Sequence, residues 1–273
     1  MHPRGVVLRS LWIKIPTLAL AVAAFVALDG WLAYLAAFGI LGLGVALIMA
    51  LVVHPNSSAW TKTLWRAPHG TNAVALTFDD GPDPRSTPAI LEVLEAKGLR
   101  AAFFVVGERV RQHPELVARL HEAGHLVCNH TDSHEMLFHF RLWGPARREL
   151  RACGDAIASV IGRRPAFFRS PQGLKNPALG DVVSGEGLTA IGWQVRGLDA
   201  MGADADTIAK RITRGARPGG IIMLHDGGGF GGREDRTPTI EALPRIIDEL
   251  TERGLSFRRL DELIEREPYL ASR

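Results

Sequence analysis

Ala73-Val74-Ala75-Leu76-Thr77-Phe78-Asp79-Asp80-Gly81-Pro82 is the stretch that decides the fold. An apolar run ends in two adjacent carboxylates, and a Gly-Pro turn follows at once. The run and its turn read as a buried strand. Two like charges at a strand end are costly unless something positive is bound there.

Outward from this strand, short apolar runs alternate with amphipathic helical patterns. The other strand candidates are 101–106, 125–129, 166–169, 188–195, 220–224 and 255–260. Thr87-Pro88 places a cap and a first-turn proline at the start of a helix that Gly98 closes. Pro114 opens a helix closed by Gly124, and a longer pattern from Trp143 ends at Gly162. Asp204 or Asp206 caps a further helix, and Thr237-Pro238 starts the last. This alternation predicts a parallel sheet with helical crossovers. About seven repeats in about 200 residues suit an open or imperfect α/β barrel better than a doubly wound sheet. No GxGxxG follows the first strand, so no dinucleotide site is indicated.

Composition bounds the partners. The 273 residues carry a net charge of +3 with a pI near 9.1. No dense Lys/Arg block is present, which argues against nucleic-acid binding. Cys128 and Cys153 form no CxxC motif, and Cys128 reads as a small buried hydrophobe. His54, His69, His113, His121, His125 and His139 read as surface or core residues, and the loop 227–232 is glycine-rich.

Apolar residues concentrate before His54. Trp31–Val53 carries no charge and is long enough to cross a hydrocarbon core of about 30 Å. A second apolar stretch, 15–28, extends to about 12–28 if Lys14 snorkels. Asp29-Gly30 then turns a helical hairpin; Ala19, Ala23 and Ala27 form one small-residue ridge and Gly42, Ala46 and Ala50 another, which either serve close helix contact or reflect only how common alanine is in such helices. A cleaved signal peptide is the competing reading, although no small-x-small cleavage site follows. Arg4, Arg9 and Lys14 put the N-terminus on the cytoplasmic side of the cell membrane. One span then places the large domain outside. Two spans, favoured by Lys62 and Arg66, return it to the cytoplasmic side. The chain thus divides into a membrane anchor (1–53), a polar connector (54–70) and a catalytic domain (71–273).

The chemistry-bearing residues fall just after strands, where parallel α/β folds collect them. Asp80, His130 and His134 offer one carboxylate and two imidazoles. Three such ligands with an open position form a catalytic divalent site, most often for zinc. Cobalt, nickel, manganese and iron suit the same donors. The open position would hold a water of lowered pKa. Asp79 is the candidate general base toward that water, with Arg169 as its orienting partner. His225, after the run Ile221-Ile222-Met223-Leu224, is the candidate general acid.

The chain resembles the polysaccharide deacetylases, carbohydrate esterase family four with its NodB homology domain, over about 71–264. The motifs are Thr77-Phe78-Asp79-Asp80-Gly81-Pro82, His130-Thr131-Asp132-Ser133-His134, Arg169-Ser170-Pro171-Gln172-Gly173 and Met223-Leu224-His225. The resemblance implies an incomplete β/α barrel of seven or eight strands. It implies Asp79 as base, a metal on Asp80, His130 and His134, and Arg169 positioning Asp79. It also implies an oxyanion contact from the Gln172 backbone, next to Pro171, and His225 as acid. One stretch departs from the family pattern: Arg196-Gly197-Leu198-Asp199-Ala200 stands where Asp-x-x-Asp-Trp is usual. A cation at 196 is expected to lower the pKa of His225, unless Asp199 substitutes or Arg196 reads an anionic group on the substrate.

The expected activity is metal-dependent hydrolysis of an N-acetyl group on a glycan or lipid-linked sugar at a membrane. An O-acetyl esterase or a lipid-linked sugar deformylase on the same fold is the first alternative. A non-catalytic glycan-binding scaffold, suggested by Arg196 and Ala200, is the second.

Overall fold

The strand Ala73–Asp79 is buried at all seven positions. This is how a central parallel strand, covered on both faces, should look. The structure is a computed structural model that describes residues 4–68, 70–228 and 234–271, with side chains from Trp12 onward. His69 and most of the loop 227–232 lie outside the described residues.

Helices α1 (Arg4–Ala27) and α2 (Trp31–Val53) lead into strands β1 (Thr63–Leu64) and β2 (Ala73–Asp79). Next come α3 (Thr87–Ala96), β3 (Ala102–Val105), α4 (Gly107–Gln112), α5 (Pro114–Glu122) and β4 (Leu126–Asn129). Then follow α6 (Trp143–Ile161), β5 (Phe167–Phe168), α7 (Pro177–Gly185), β6 (Thr189–Ile191) and β7 (Val195–Arg196). The chain ends with α8 (Ala205–Gly215), β8 (Ile221–His225), α9 (Thr237–Glu252), β9 (Ser256–Phe257) and α10 (Leu260–Ile264).

The strands are parallel, in the order β1-β6-β5-β4-β3-β2-β8-β7, with β9 pairing the start of β2. The connectivity forces curvature. β6 lies toward one edge and β7 at the other, yet only residues 192–194 separate them. Four Cα steps reach at most about 14 Å, so the two ends of the sheet must come together. The result is an incomplete (β/α)7-8 barrel.

Two sequence expectations need correction here. The single strand expected at 188–195 is two strands. Gly192 donates its N–H to Leu64 and Gln194 donates to Ile221, so the chain changes edge within three residues. Gly192 permits the crossing because a β-carbon there would lie 2.3 Å from Asn56 Oδ1. The polar connector expected at 54–70 contains β1, which pairs with β6, and Trp60, which is buried.

Side chains alternate along β2 with the period of a strand. Val74, Leu76 and Phe78 join the outer core beneath α3, α5, α8 and α9. Ala73 and Ala75 face the barrel interior with Phe104, Leu126 and Cys128. Small residues suit that narrow space, and Asp79 follows on the same alternation. Cys128 and Cys153 are both free and buried, and burial pushes both thiols far up.

The two N-terminal helices pack on each other through a different face from the expected one. Among the described side chains, Ile13, Ala21, Ala33 and Gly44 are the buried positions, whereas Ala19, Ala23, Ala27, Gly42, Ala46 and Ala50 are exposed. The reason is one close approach: a β-carbon on Gly44 would lie 2.4 Å from Thr17 Cγ2. That contact sets the rotation of both helices.

Helix α7 is held against Trp60 in the same manner, since a β-carbon on Gly180 would lie 2.1 Å from the Trp60 carbonyl oxygen. Gly-to-Ala inside a helix ordinarily gains about 1 kcal/mol. Gly180→Ala should instead cost about 1–3 kcal/mol through overpacking. Thermal unfolding should show a fall of several degrees; an unchanged or raised Tm would mean that the 54–62 segment is not packed on α7.

Candidate active site

The parallel strands deliver their C-terminal ends to one rim of the barrel, and the notable polar residues stand there. Asp79 ends β2, His130 follows β4, Arg169 follows β5 and His225 ends β8.

Asp80, His130 and His134 converge. Asp80 Oδ1 lies 3.3 Å from His130 Nε2 and 3.1 Å from His134 Nε2. Their donor atoms all fall within 4.8 Å of one another. The backbone is specialised to achieve this: Asp80, Thr131 and His134 have φ of 73°, 70° and 50°. Such left-handed conformations are strained for non-glycine residues and cluster at functional sites.

The donor set fits a divalent ion. His130 Nδ1 lies 2.8 Å from the Arg169 carbonyl, so the Nδ1–H is donated there and the Nε2 lone pair faces Asp80. Burial pushes His134 down to about 4 despite the Asp80 charge, leaving a neutral ring. Burial opposes ionisation of Asp80, but at low pH the protonated forms of the neighbouring His130 and His134 overcome it and hold this carboxyl well below the usual range. Neutral imidazoles and an ionised carboxylate are the forms that bind metal.

Asp79 faces elsewhere although it is the next residue. The fully buried Arg169 donates from Nη1 to Asp79 Oδ1 at 2.6 Å and to Thr77 Oγ1 at 2.9 Å. Its other nitrogens reach the carbonyls of Ile191 and Gly192. Its guanidinium also lies 4.1 Å from the centroid of the Phe104 ring.

His225 pairs with Asp199. Its Nδ1 lies 2.9 Å from Asp199 Oδ1, and its backbone N–H donates to Asp199 Oδ2 at 2.7 Å. Thr239 and Arg236 brace Asp199 through its carboxylate and carbonyl. Burial disfavours a charged His225, but the Asp199 carboxylate outweighs it, helped by Asp80 and Asp79, and the ring is raised to about 9. The expectation that Arg196 lowers this pKa is therefore corrected. Arg196 is exposed on the rim of the cavity, and the partner of His225 is Asp199, three residues on.

These groups open into a cavity of about 300 Å³. Its polar wall is Asp79, Asp80, His130, His134 and His225; its apolar wall is Trp193, Leu198, Ala200, Met201 and Met223. Gln172 lines it from a tight turn at φ 57°, whereas Pro171 is buried behind that turn and is not a lining residue.

Three supporting groups escaped the sequence reading. Glu149 of α6 accepts hydrogen bonds from the backbone of Asp132 and Ser133, which shapes the loop carrying His134. Arg109 of α4 donates to the carbonyls of Asp80 and Gly228. Asp226 is fully buried and accepts from Thr87 Oγ1 at 2.6 Å. Gly81 packs so closely on that carboxyl that a β-carbon would lie 2.0 Å from Asp226 Oδ2. Asp226 follows His225 directly, which was the one available signal.

Residues 66–191 match the polysaccharide deacetylase family model. A peptidoglycan-N-acetylglucosamine deacetylase of Bacillus cereus is 31% identical over 202 residues, covering 73% of this chain and 92% of the relative. A chitooligosaccharide deacetylase of Bradyrhizobium sp. is 34% identical over 207 residues, covering 71% and 91%. The crystal structure of the peptidoglycan N-acetylglucosamine deacetylase Bc1960 superposes with a TM-score of 0.70 at 29% identity, covering 76% of this chain and 94% of that one.

The His225–Asp199 pair has a measurable signature. With its folded pKa near 9 against an ordinary 6.5, it stabilises the fold fully below about pH 6.5. That contribution fades as pH rises toward 9. Nitrogen-detected NMR of the metal-free protein should show the ring titrating near 9, and Asp199→Asn should lower its pKa by at least a unit. Titration near 6.5 in both forms would refute the pairing.

Proposed function

We propose that this chain, which belongs to the polysaccharide deacetylase family, removes the N-acetyl group of an N-acetylated sugar by metal-dependent hydrolysis at a membrane. The observation that carries the reading is the meeting of the Asp80–His130–His134 triad with Asp79 and His225 around one cavity.

Asp80, His130 and His134 would hold the ion, for which zinc suits the donors best and cobalt, nickel or manganese suit them well. When bound, the ion lowers the pKa of a water and polarises the acyl carbonyl. Asp79, oriented by Arg169, takes the proton from the attacking water. The Gln172 backbone N–H would donate to the developing oxyanion. His225, kept protonated near neutral pH by Asp199, gives a proton to the departing nitrogen. Acetate and a free amine leave. The His225–Asp199 pair weakens the case for a non-catalytic scaffold, because the group expected to disable the acid does not contact it. Arg196, exposed at the rim, supports a substrate with an anionic group.

Membrane anchoring rests on two observations. Trp31–Val53 is long and apolar enough to cross a membrane and almost none of it is buried, unlike a core helix. Its C-terminal end is also knitted into the domain: Lys175 donates its N–H to Val52 and its Nζ to Pro55. Asn56 exchanges two hydrogen bonds with the backbone of Trp193. These bonds favour a retained anchor over a cleaved leader. With two spans, the basic residues near both outer ends favour the cytoplasmic side.

Asp80→Ala should lose the ion by elemental analysis. Asp79→Asn should keep the ion and lower acetate release by about 10²–10⁴-fold, the usual worth of a general base. Assays on N-acetyl, O-acetyl and N-formyl sugars separate deacetylase from esterase and deformylase. Wild-type activity in both variants would overturn the assignment.

A further inference from the structure

Beyond Val53, the large apolar side chains that are exposed among the described residues are Met136, Leu137, Phe140, Leu142 and Met201. Isolated exposed apolar groups need no explanation, but their concentration does. Four of them share one loop between His134 and α6, and Met201 lines the cavity. The loop has a fixed shape. Phe138 is buried against Phe168, and Glu135 pairs with Arg141 across its base. The outward display of Leu137, Phe140 and Leu142 is thus built in, at exposures of 60%, 66% and 57%.

The loop is also tied to the end of the apolar helix pair. Asn176 donates its side-chain N–H groups to the carbonyls of His139 at 2.5 Å and Arg141 at 3.0 Å. The preceding residue, Lys175, is bonded to the backbone of Val52 and Pro55. Helix α7, which starts immediately after Asn176, packs beside α1. On the cavity side, Pro55 abuts Gly173, a lining residue, only two positions after α2 ends. The apolar loop, the cavity wall and the exit of α2 therefore form one continuous surface.

We infer that the 136–142 loop enters the bilayer interface beside α2, so that the cavity accepts an N-acetylated sugar carried on a membrane lipid. The substrate half of this inference rests on the deacetylase reading, and the orientation rests on the anchor. Apolar and aromatic side chains gain by insertion at the acyl boundary, and one rigid loop next to a spanning helix orders nothing new to do so. A lipid-borne sugar then meets the triad without leaving the membrane surface. Met201, also exposed, adds an apolar side chain to the cavity lining.

The test uses the full chain in nanodiscs of phosphatidylethanolamine and phosphatidylglycerol. Both native thiols are buried, so Leu137→Cys supplies an accessible one for a polarity-sensitive fluorophore. Its emission should shift to the blue and be quenched by acyl-chain nitroxides, unlike a label on Glu252→Cys at the end of α9. A Leu137 label quenched only by aqueous nitroxide overturns the insertion. In parallel, Leu137→Ser/Phe140→Ser is assayed on two substrates: N-acetylglucosamine linked through phosphate to a long alkyl chain in the nanodisc, and a soluble chitooligosaccharide. The variant should lose at least about tenfold more kcat/KM on the lipid-borne sugar than on the soluble one, in line with the burial of two large apolar side chains. Equal losses on both overturn the lipid-borne substrate. Release of acetate from neither by the wild-type chain overturns the deacetylase reading itself, while the fluorophore still decides the insertion.

Discussion

The ion pair between Arg169 and Asp79 is the interaction on which the site depends. Both side chains are buried, at 0% and 4% exposure. A buried pair is stable only when its remaining hydrogen-bonding capacity is satisfied. Arg169 meets that condition through Thr77, Ile191 and Gly192, with Phe104 beneath it. Its contacts join β2 to β5 and to the point where β6 ends. Its own carbonyl fixes the tautomer of His130. One residue thus orients the candidate base, organises a candidate metal ligand and braces the barrel at its crossing. Removing either partner would leave a charge uncompensated in the interior, at about 3–5 kcal/mol.

Two adjacent aspartates come to differ by geometry alone. Asp79 keeps strand conformation and points along the inner face toward Arg169. Asp80 turns to φ 73° and faces the two imidazoles. The turn is held from behind by Arg109 on its carbonyl and by Asp226 against Gly81. The left-handed positions at Asp80, Thr131 and His134 are thereby over-determined by their surroundings, as stored backbone strain requires.

Much of this was legible in the sequence because local signals and global fold agree. Each central strand is an apolar run, and Asp79, Asp80, His130, Arg169 and His225 stand where those runs end. What stayed hidden depended on pairing across the fold. Thr63–Leu64 is too short to announce itself, and only its partner β6 makes it a strand. In the run 188–195 the apolar residues Leu188, Ala190, Ile191, Trp193 and Val195 continue on both sides of Gly192, so the pattern does not mark the change of edge there. Helix α7 carried a readable start in Asn176-Pro177, with the Asn side chain capping Leu179, but its glycines diluted the helical pattern. Arg196 misled because sequence adjacency stood in for contact, whereas the pleat turns it outward and the following turn brings Asp199 inward. The helical hairpin misled similarly, since alanine ridges exist on several faces and the Thr17–Gly44 approach selects one.

The crossing at residues 192–194 has a bearing on cooperativity. Marginal strands normally fray first, because each can leave without disturbing the rest. Here β7, at one margin, follows directly on β6, which lies beside the other margin, and the crossing between them is secured to Leu64 of β1 on one side and Ile221 of β8 on the other. Loosening β7 strains the attachment of β6, and the converse holds equally. Amide protons at both rims should therefore exchange with solvent together, at rates closer to those of the central strands than their short ladders alone would allow.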